Sequence, residues 1–367
     1  MDLARRLAER GRLTVAPNPL VGAVVVRDGE VVGEGWHARA GEAHAEARAL
    51  EEAGPKARGA TLFVTLEPCN HHGRTPPCVE AVRQAGISRV VVGVLDENPL
   101  MRGRSVALLR EAGVGVEVLQ DGAVEAQNEQ YLHRMRTGRP FVHVKLATTL
   151  DGRIAASGGD SRWVTGEAAR RRAHELRAEA GAVLVGAGTV RADDPNLTAR
   201  HLDSEPPAVA RAVLDPRLTL DPKSALARTA KEAPVVVFAD GDRLDGREEV
   251  LRGLGVEVVA SPASDDGLDP GFVLDELGRR GLRGVLVEGG GETATRFVRR
   301  GLADKLTLFY APKLVGSEGV PMIGALRLTR MAEALSFRVS AVEKVGEDVA
   351  VTLYPSGGEE DDVHRAS

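Results

Sequence analysis

Two stretches, "GEAHAEARAL" at residues 41–50 and "TLEPCNHHGRTPPC" at residues 65–78, hold both cysteines of the 367-residue chain and a His-Ala-Glu triplet. The segments around them set the fold. The Ala/Glu/Leu-rich run that starts at the triplet stops before Gly54-Pro55 and reads as a helix. Upstream, "LVGAVVVRDGEVVGEGWH" places two β-rich runs on either side of Asp28-Gly29, a two-residue hairpin signal. "GATLFVTLEP" is an apolar strand running into the cysteine loop, and "CVEAVRQAG" after the loop is a helix closed by Gly86. Strand "ISRVVVGVLD", helix "SVALLREAG" and strand "VGVEVL" follow. Strands alternating with helices require one sheet covered on both faces, so the expectation is a three-layer α/β/α domain.

The same stretches carry chemistry. His44, Cys69 and Cys78 are the nitrogen and sulfur donors that Zn²⁺ takes, and three ligands leave its fourth tetrahedral position for water. Glu46, two residues past His44 at the start of the helix, can move a proton without ligating the metal. H-x-E followed later by P-C is the arrangement of the zinc deaminases. One departure is visible, because the usual two residues between the cysteines are replaced by "NHHGRTPP". Residue types alone leave two other readings open. The cysteines could be core residues and His44 a surface histidine, or a structural zinc site could be closed by His71 or His72. The second of these leaves Glu46 without a purpose.

The chain is too long for one ordinary core. Residues 134–139 are basic and turn-rich and a new strand opens at Phe141, which puts a join near residue 138. The expected domains are 1–138 and 139–355, followed by a polar, acidic tail, 356–367, expected to be disordered. A net charge of −5 and the lack of a strongly basic region argue against a nucleic-acid partner. No run is apolar enough to cross a bilayer. "MDLARRLAERGRL" lacks the apolar segment of a signal peptide, so the expected location is the cytoplasm. There a cysteine pair beside histidine is a metal or catalytic site more often than a disulfide.

The second half alternates again: strand "FVHVKLAT", helix "GEAARRRAHELRAEA", strands "AVLVGAGT", "ARAVLD" and "PVVVFAD", helix "GFVLDELGRRG", strand "GVLVEGG", helix "ETATRFVRRG", and a β-rich finish through "KLTLFYAPKLVG" and "VAVTLYP". In "GVLVEGGGETATRF" a strand, a glycine run and a helix present backbone N–H groups at a helix N-terminus, which favours a phosphate. The run lacks the G-x-G-x-x-G spacing of a dinucleotide fingerprint, so a nicotinamide site here needs another fold.

Taken together, "PNPLVGAVVV", "GEGWH", "HAE", "TLEPCNHHGRTPPC" and "DENP" resemble the N-terminal half of the bifunctional deaminase–reductases of riboflavin biosynthesis, which carry an enlarged loop between the cysteines. "KLATTLDGRIA", "SRWVTGEAAR", "VGAGTVRADDPNLTAR" and "VEGGGET" resemble the reductase half, over about Phe141 to Pro355. The resemblance implies an α/β protein with a cytidine-deaminase-like domain followed by a dihydrofolate-reductase-like one. It implies Zn²⁺ and NADPH as cofactors and a small phosphoribosyl pyrimidine as substrate, deaminated first and reduced second. Self-association as a homo-oligomer is also implied, with no membrane partner.

Carried over position by position, the family pattern gives Arg74 and Thr75 the ribose-phosphate end of the deaminase substrate, although many members have lysine where Arg74 stands. Asn18 and His37 would face the base. NADPH contacts fall on Ala147, Trp163, Thr189 and Asp193, and on the turn Gly290, Gly291, Glu292, Thr293, Ala294, Thr295 and Arg296. Reductase substrate contacts fall on Ser161, Arg177, Leu197, Arg200 and Glu288. Lys145, on the strand entering that site, is a candidate electrostatic partner or proton donor. His71 and His72 are expected to be loop residues or neighbours of the substrate, with their role open. Two competing functions remain: a zinc deaminase acting on a free base, nucleoside or nucleic acid, and a structural zinc module joined to a nucleotide-binding domain.

Overall fold

The computed structural model describes residues 1–71, 77–202, 207–264 and 267–356. The chain divides into two compact units, Met1–Arg139 and Pro140–Ser367. His72, Arg74, Thr75 and residues 357–367 of the expected tail lie outside the described residues.

The first unit runs α1 (Asp2–Glu9), β1 (Gly22–Arg27), β2 (Glu30–Trp36), α2 (Ala45–Ala53), β3 (Thr61–Leu66), α3 (Cys78–Gln84), β4 (Arg89–Val94), α4 (Arg104–Glu111), β5 (Gly115–Val118), α5 (Gly122–Gln127) and α6 (Glu129–Thr137). Its sheet has the order β2-β1-β3-β4-β5, with β1 antiparallel to both neighbours and β3, β4 and β5 parallel. Arg27 pairs with Glu30 across the hairpin, and Asp28 and Gly29 between them take φ of 52° and 86°. Two consecutive left-handed residues match the turn's twist to that of the strands. Alternation along the strands separates two faces. Ala23, Val25, Leu62 and Val64 pack with Ala49 and Val82 of the helices α2 and α3, while Val24 packs with Ala4 and Leu7 of α1. The three layers follow from that alternation.

The join differs from the expectation of a turn at residues 134–139. Helix α6 continues to Thr137, and Gly138 at φ 74° ends it. Arg134 and Arg136 therefore occupy its last turn, where cations suit the helix dipole. Arg136 donates to Glu125 at 2.6 Å and to Glu97 at 3.2 Å. Their charge stabilises a helix end and does not mark a loop.

The second unit runs β6 (Phe141–Thr149), β7 (Arg153–Ala155), α7 (Glu167–Ala180), β8 (Ala182–Gly186), α8 (Ala187–Asp193), β9 (Ala210–Leu214), α9 (Ala225–Arg228), β10 (Val235–Asp240), α10 (Arg247–Gly253) and β11 (Glu257–Ser261). It continues through β12 (Ala263–Ser264), β13 (Gly267–Leu268), α11 (Pro270–Arg279), β14 (Gly284–Val287), α12 (Gly291–Arg299), β15 (Lys305–Ala311), β16 (Val320–Pro321), β17 (Phe337–Val345) and β18 (Asp348–Pro355). Nine strands form one sheet in the order β11-β10-β9-β8-β14-β6-β15-β18-β17. It is parallel from β11 to β15, while β18 runs antiparallel to β15 and β17 antiparallel to β18. The run "AVLVGAGT" was expected to be all strand; it divides at Gly186, and Ala187 onward is helical.

Parity along β6 and β14 places the chemistry. Val142, Val144, Leu146, Val285 and Val287 face the core beneath α11 and α12, whereas Leu286 packs with Ala169 and Leu176 of α7. His143, Lys145 and Ala147 alternate with the first set, so they share the α7 face.

Candidate active sites

In the first unit, β3 ends at Leu66, and the chain passes through Glu67 and Pro68 to Cys69. His44 is the N-cap of α2, and Cys78 opens α3. One atom from each of His44, Cys69 and Cys78 falls in a cluster whose members all lie within 4.8 Å of one another. His44 Nδ1 is 3.2 Å from Cys78 Sγ and 3.5 Å from Cys69 Sγ. The Cys78 amide donates to Cys69 Sγ at 3.2 Å, and the Val79 amide donates to the Cys69 carbonyl at 3.1 Å. The N-terminus of α3 and the ring of His44 thus meet the thiol of Cys69, which suits a thiolate. The hydrogen bond from Cys78 holds the Cys69 thiol well below its ordinary range against the opposing effect of burial, with His44 assisting. Donating that bond pushes the Cys78 thiol up. An N/S/S set with room for a fourth ligand fits Zn²⁺.

Glu46 lies in the first turn of α2 and is 3% exposed. Burial, seconded by the Cys69 charge, pushes its carboxyl up to about 7. A carboxyl balanced there can both take and release a proton near neutral pH. His37 and Asn18 are brought to the same place. The rings of His37 and His44 meet edge-on with centroids 5.2 Å apart. His37 Nδ1 lies 3.2 Å from the Ala43 carbonyl, so it carries the proton, and Nε2 accepts from the Asn18 amide at 2.9 Å. His71 turns instead to Met101, with Nδ1 3.2 Å from Sδ.

Glu67 has a role that residue type alone did not announce. Its buried carboxylate accepts from the amides of Gly103 at 2.9 Å and Asp96 at 3.3 Å through Oε2, and of Ser105 at 3.0 Å and Val106 at 3.3 Å through Oε1. This caps α4 and pins residues 96–103 to the strand end two residues before Cys69. Tyr131 holds Asp96 of the same loop through both carboxylate oxygens at 3.1 Å.

In the second unit, a cavity of about 1130 Å³ opens on the α7 face of the sheet. Lys145, Ala147, Ser161, Trp163, Thr189 and Asp193 line it. So do Arg177, Leu197, Arg200, Glu288 and Gly290. Arg177 donates Nε and Nη2 to the two oxygens of Glu288, each at 2.8 Å, and Nη1 to the Thr198 carbonyl at 3.1 Å. Burial alone would raise Glu288, but the Arg177 guanidinium and the Lys145 ammonium hold it at about 2. Burial pulls Lys145 below its ordinary range, against the attraction of Glu288.

The segment 194–201 is fixed from its other side by Arg211, a fully buried arginine that donates to the Asn196 carbonyl at 3.3 Å. Trp163 is 63% exposed at the rim, and the Arg170 guanidinium sits 4.5 Å from its ring centroid. Lys313 donates to the carbonyls of Trp163 at 2.7 Å and Val164 at 2.9 Å.

Of the expected run from Gly290 to Arg296, Gly290 reaches the cavity wall. Its amide donates to Thr189 Oγ1 at 3.1 Å. Gly289, at φ 90°, has no room for a Cβ, which would meet Thr189 Oγ1 at 2.5 Å. Thr293, Ala294 and Thr295 are buried, and Gly291 lies under the carbonyls of Pro321 and Met322. Glu292 approaches Gly324, and Arg296 lies against Gly267. His174 and His201 also line the cavity, although no motif drew attention to them.

Residues 1–94 match the family described as the cytidine and deoxycytidylate deaminase zinc-binding region, and residues 140–351 match the RibD C-terminal domain. The chain thus joins a zinc-dependent deaminase of the cytidine-deaminase fold to a reductase, in that order. The riboflavin biosynthesis protein RibD of Aquifex aeolicus is 43% identical over 355 residues, covering 96% of each chain. That of Escherichia coli is 41% identical, covering 96% of this chain and 98% of its own. RibD of Acinetobacter baumannii superposes with a TM-score of 0.87 at 37% identity, covering 97% of this chain and 98% of its own. A Thermotoga maritima structure described as a diaminohydroxyphosphoribosylaminopyrimidine deaminase/5-amino-6-(5-phosphoribosylamino)uracil reductase superposes with a TM-score of 0.84 at 37% identity, covering 97% of each chain. The chain belongs to the RibD family, the bifunctional deaminase/reductases of riboflavin biosynthesis. Zinc and NADPH are its cofactors.

Proposed function

We propose that the first unit deaminates 2,5-diamino-6-ribosylamino-4(3H)-pyrimidinone 5′-phosphate and that the second reduces the ribosyl group of the product to ribityl. The observation that carries the first step is the cluster of His44, Cys69 and Cys78 with the buried Glu46 carboxyl on the same helix start. Zinc held by the three ligands supplies a water that ionises near neutral pH. Glu46 takes a proton from the attacking water and returns one to the departing amine. Asn18 and His37 face the base, and Arg74 and Thr75 hold the phosphate.

In the second unit, NADPH supplies the hydride from a site formed by Ala147, Trp163, Thr189, Asp193 and the turn that starts at Gly290. Ser161, Arg177, Leu197, Arg200 and Glu288 hold the substrate. Lys145, half-buried near Glu288, offers a proton or a positive charge where the sugar reacts. The domain assignment is 1–138 and 139–355.

The reading includes action in the cytoplasm and self-association. Among the described residues no helix is long and apolar enough to cross a membrane. Val339 and Val342 are exposed on β17, an edge strand, the kind of element that pairs with a second copy. Incubation with the diaminopyrimidinone ribosyl-phosphate, with and without NADPH, tests the two steps. Ammonia should appear in both, and NADPH should be consumed only after ammonia appears. NADPH consumption before any ammonia would refute the order.

A further inference from the structure

His174 has no part in the roles assigned above, yet it lines the reductase cavity. It lies on α7 three residues before Arg177, and its ring meets His201 edge-on with centroids 5.6 Å apart. Nδ1 is 3.1 Å from the Thr198 carbonyl oxygen. A carbonyl only accepts, so Nδ1 carries a proton. Burial, with the Arg177 and Arg200 guanidiniums close by, pulls the imidazole down to about 4 and keeps it neutral. Nε2 is then a bare lone pair. Nδ1 accounts for the hydrogen bond of this ring among the described residues, and the residue lines the cavity.

Four arginines stand in the surrounding wall, beside the carboxylates of Glu167, Asp193 and Glu288. Arg170, Arg171, Arg177 and Arg200 all line the cavity, and a guanidinium has no acceptor. Phosphate oxygens belong with those guanidiniums. A phosphate dianion offers Nε2 no hydrogen, and its lone pairs would oppose that of the ring. A sugar hydroxyl offers one. We propose that His174 Nε2 accepts a hydrogen bond from a hydroxyl of the substrate's sugar chain, so that the reductase distinguishes a ribosyl chain from a deoxyribosyl one. The inference rests on the phosphoribosyl reading of the substrate given above.

Two substitutions separate the two bonds of the ring. In His174→Asn the amide nitrogen stands where Nδ1 does, which keeps the Thr198 bond without an acceptor at the Nε2 position. His174→Gln reaches that position with its amide oxygen. The probes are 5-amino-6-(5-phosphoribosylamino)uracil and its 2′-deoxy and 3′-deoxy counterparts, assayed by NADPH oxidation. Wild type should prefer the ribosyl substrate over one deoxy counterpart by about tenfold in kcat/KM, the size of one hydrogen bond.

His174→Asn should bring that ratio close to one, and His174→Gln should keep most of it. NADPH Kd should stay the same in all three proteins. The proposal is overturned if wild type discriminates against neither counterpart, or if His174→Asn keeps the ratio. It is equally overturned if His174→Gln loses the ratio as fully as His174→Asn, or if NADPH Kd moves with the substitution. Failure of wild type to reduce the ribosyl substrate at all would instead overturn the functional reading.

Discussion

Glu46 shows how much one burial decision does. The same helix start that caps α2 with His44 seals the carboxyl two residues later from solvent, and desolvation pushes it up to about 7. Glu46→Gln preserves volume and leaves the three metal ligands in place. It should retain zinc and thermal stability while ammonia release falls roughly 10²–10⁴-fold, the usual contribution of a positioned acid–base group. Zinc analysis beside an ammonia assay checks this; unchanged turnover would remove Glu46 from the mechanism. Glu288 makes the opposite case, since Arg177 holds its carboxyl at about 2 against an ordinary 4.5. A lowered folded value stabilises the protein above the unfolded value and is lost as pH falls through the folded one. The urea stability of wild type relative to Glu288→Gln should therefore show its full margin above about pH 4.5, at most about 3 kcal/mol. That margin should shrink toward pH 2, and a margin independent of pH would deny the depressed carboxyl. The metal ligands were legible in sequence because zinc chemistry demands particular residue types at short spacing. Glu67 and His174 were not, because their roles depend on backbone groups 29 to 39 and 24 residues away in the chain.

At the scale of elements, the position of α2 is set by glycine. A Cβ at Gly35 would meet the Ala45 carbonyl oxygen at 2.2 Å and the Ala49 nitrogen at 2.7 Å, and one at Gly33 would meet the Ala49 carbonyl oxygen at 2.1 Å. Those contacts are backbone, so the helix itself must move. Gly35→Ala should lift the start of α2, costing about 1–3 kcal/mol as overpacking does. Because His44 and Glu46 ride on that start, zinc affinity should fall along with the melting temperature, while Gly29→Ala, in open space at a hairpin tip, should leave zinc affinity unchanged. Equal zinc retention in Gly35→Ala and wild type would show that strand β2 does not seat the site. Elements with a strong period were readable: α2, β3 and the Asp28-Gly29 hairpin follow from composition and turn chemistry. Strand β17 lies within the β-rich finish expected of the chain, but its mostly exposed residues gave no apolar run to mark its ends. Helix α8 was hidden because the apolar run of β8 passes Gly186 without a break in composition. The glycine turn after β14 was visible as a turn. Which of its residues reach the cavity depended on the helical period that sends Ala294 and Thr295 inward.

At the scale of the whole molecule, each unit has its own sheet, its own core and its own chemistry. The metal cluster draws on His44, Cys69 and Cys78, all in the first unit. The reductase cavity is lined from Lys145 to Val320, entirely within the second. Among the described residues none serves both, so the two steps should separate under a reagent that acts on one. Treatment with a zinc chelator should abolish ammonia release from the diaminopyrimidinone substrate. NADPH oxidation with the deaminated intermediate supplied directly should continue at close to the untreated rate, because its binding groups include no metal ligand. Circular dichroism before and after chelation establishes that the sheets persist. Loss of both activities with the spectrum intact would show that zinc in the first unit governs the second, and the picture of two independent sites on one chain would be wrong.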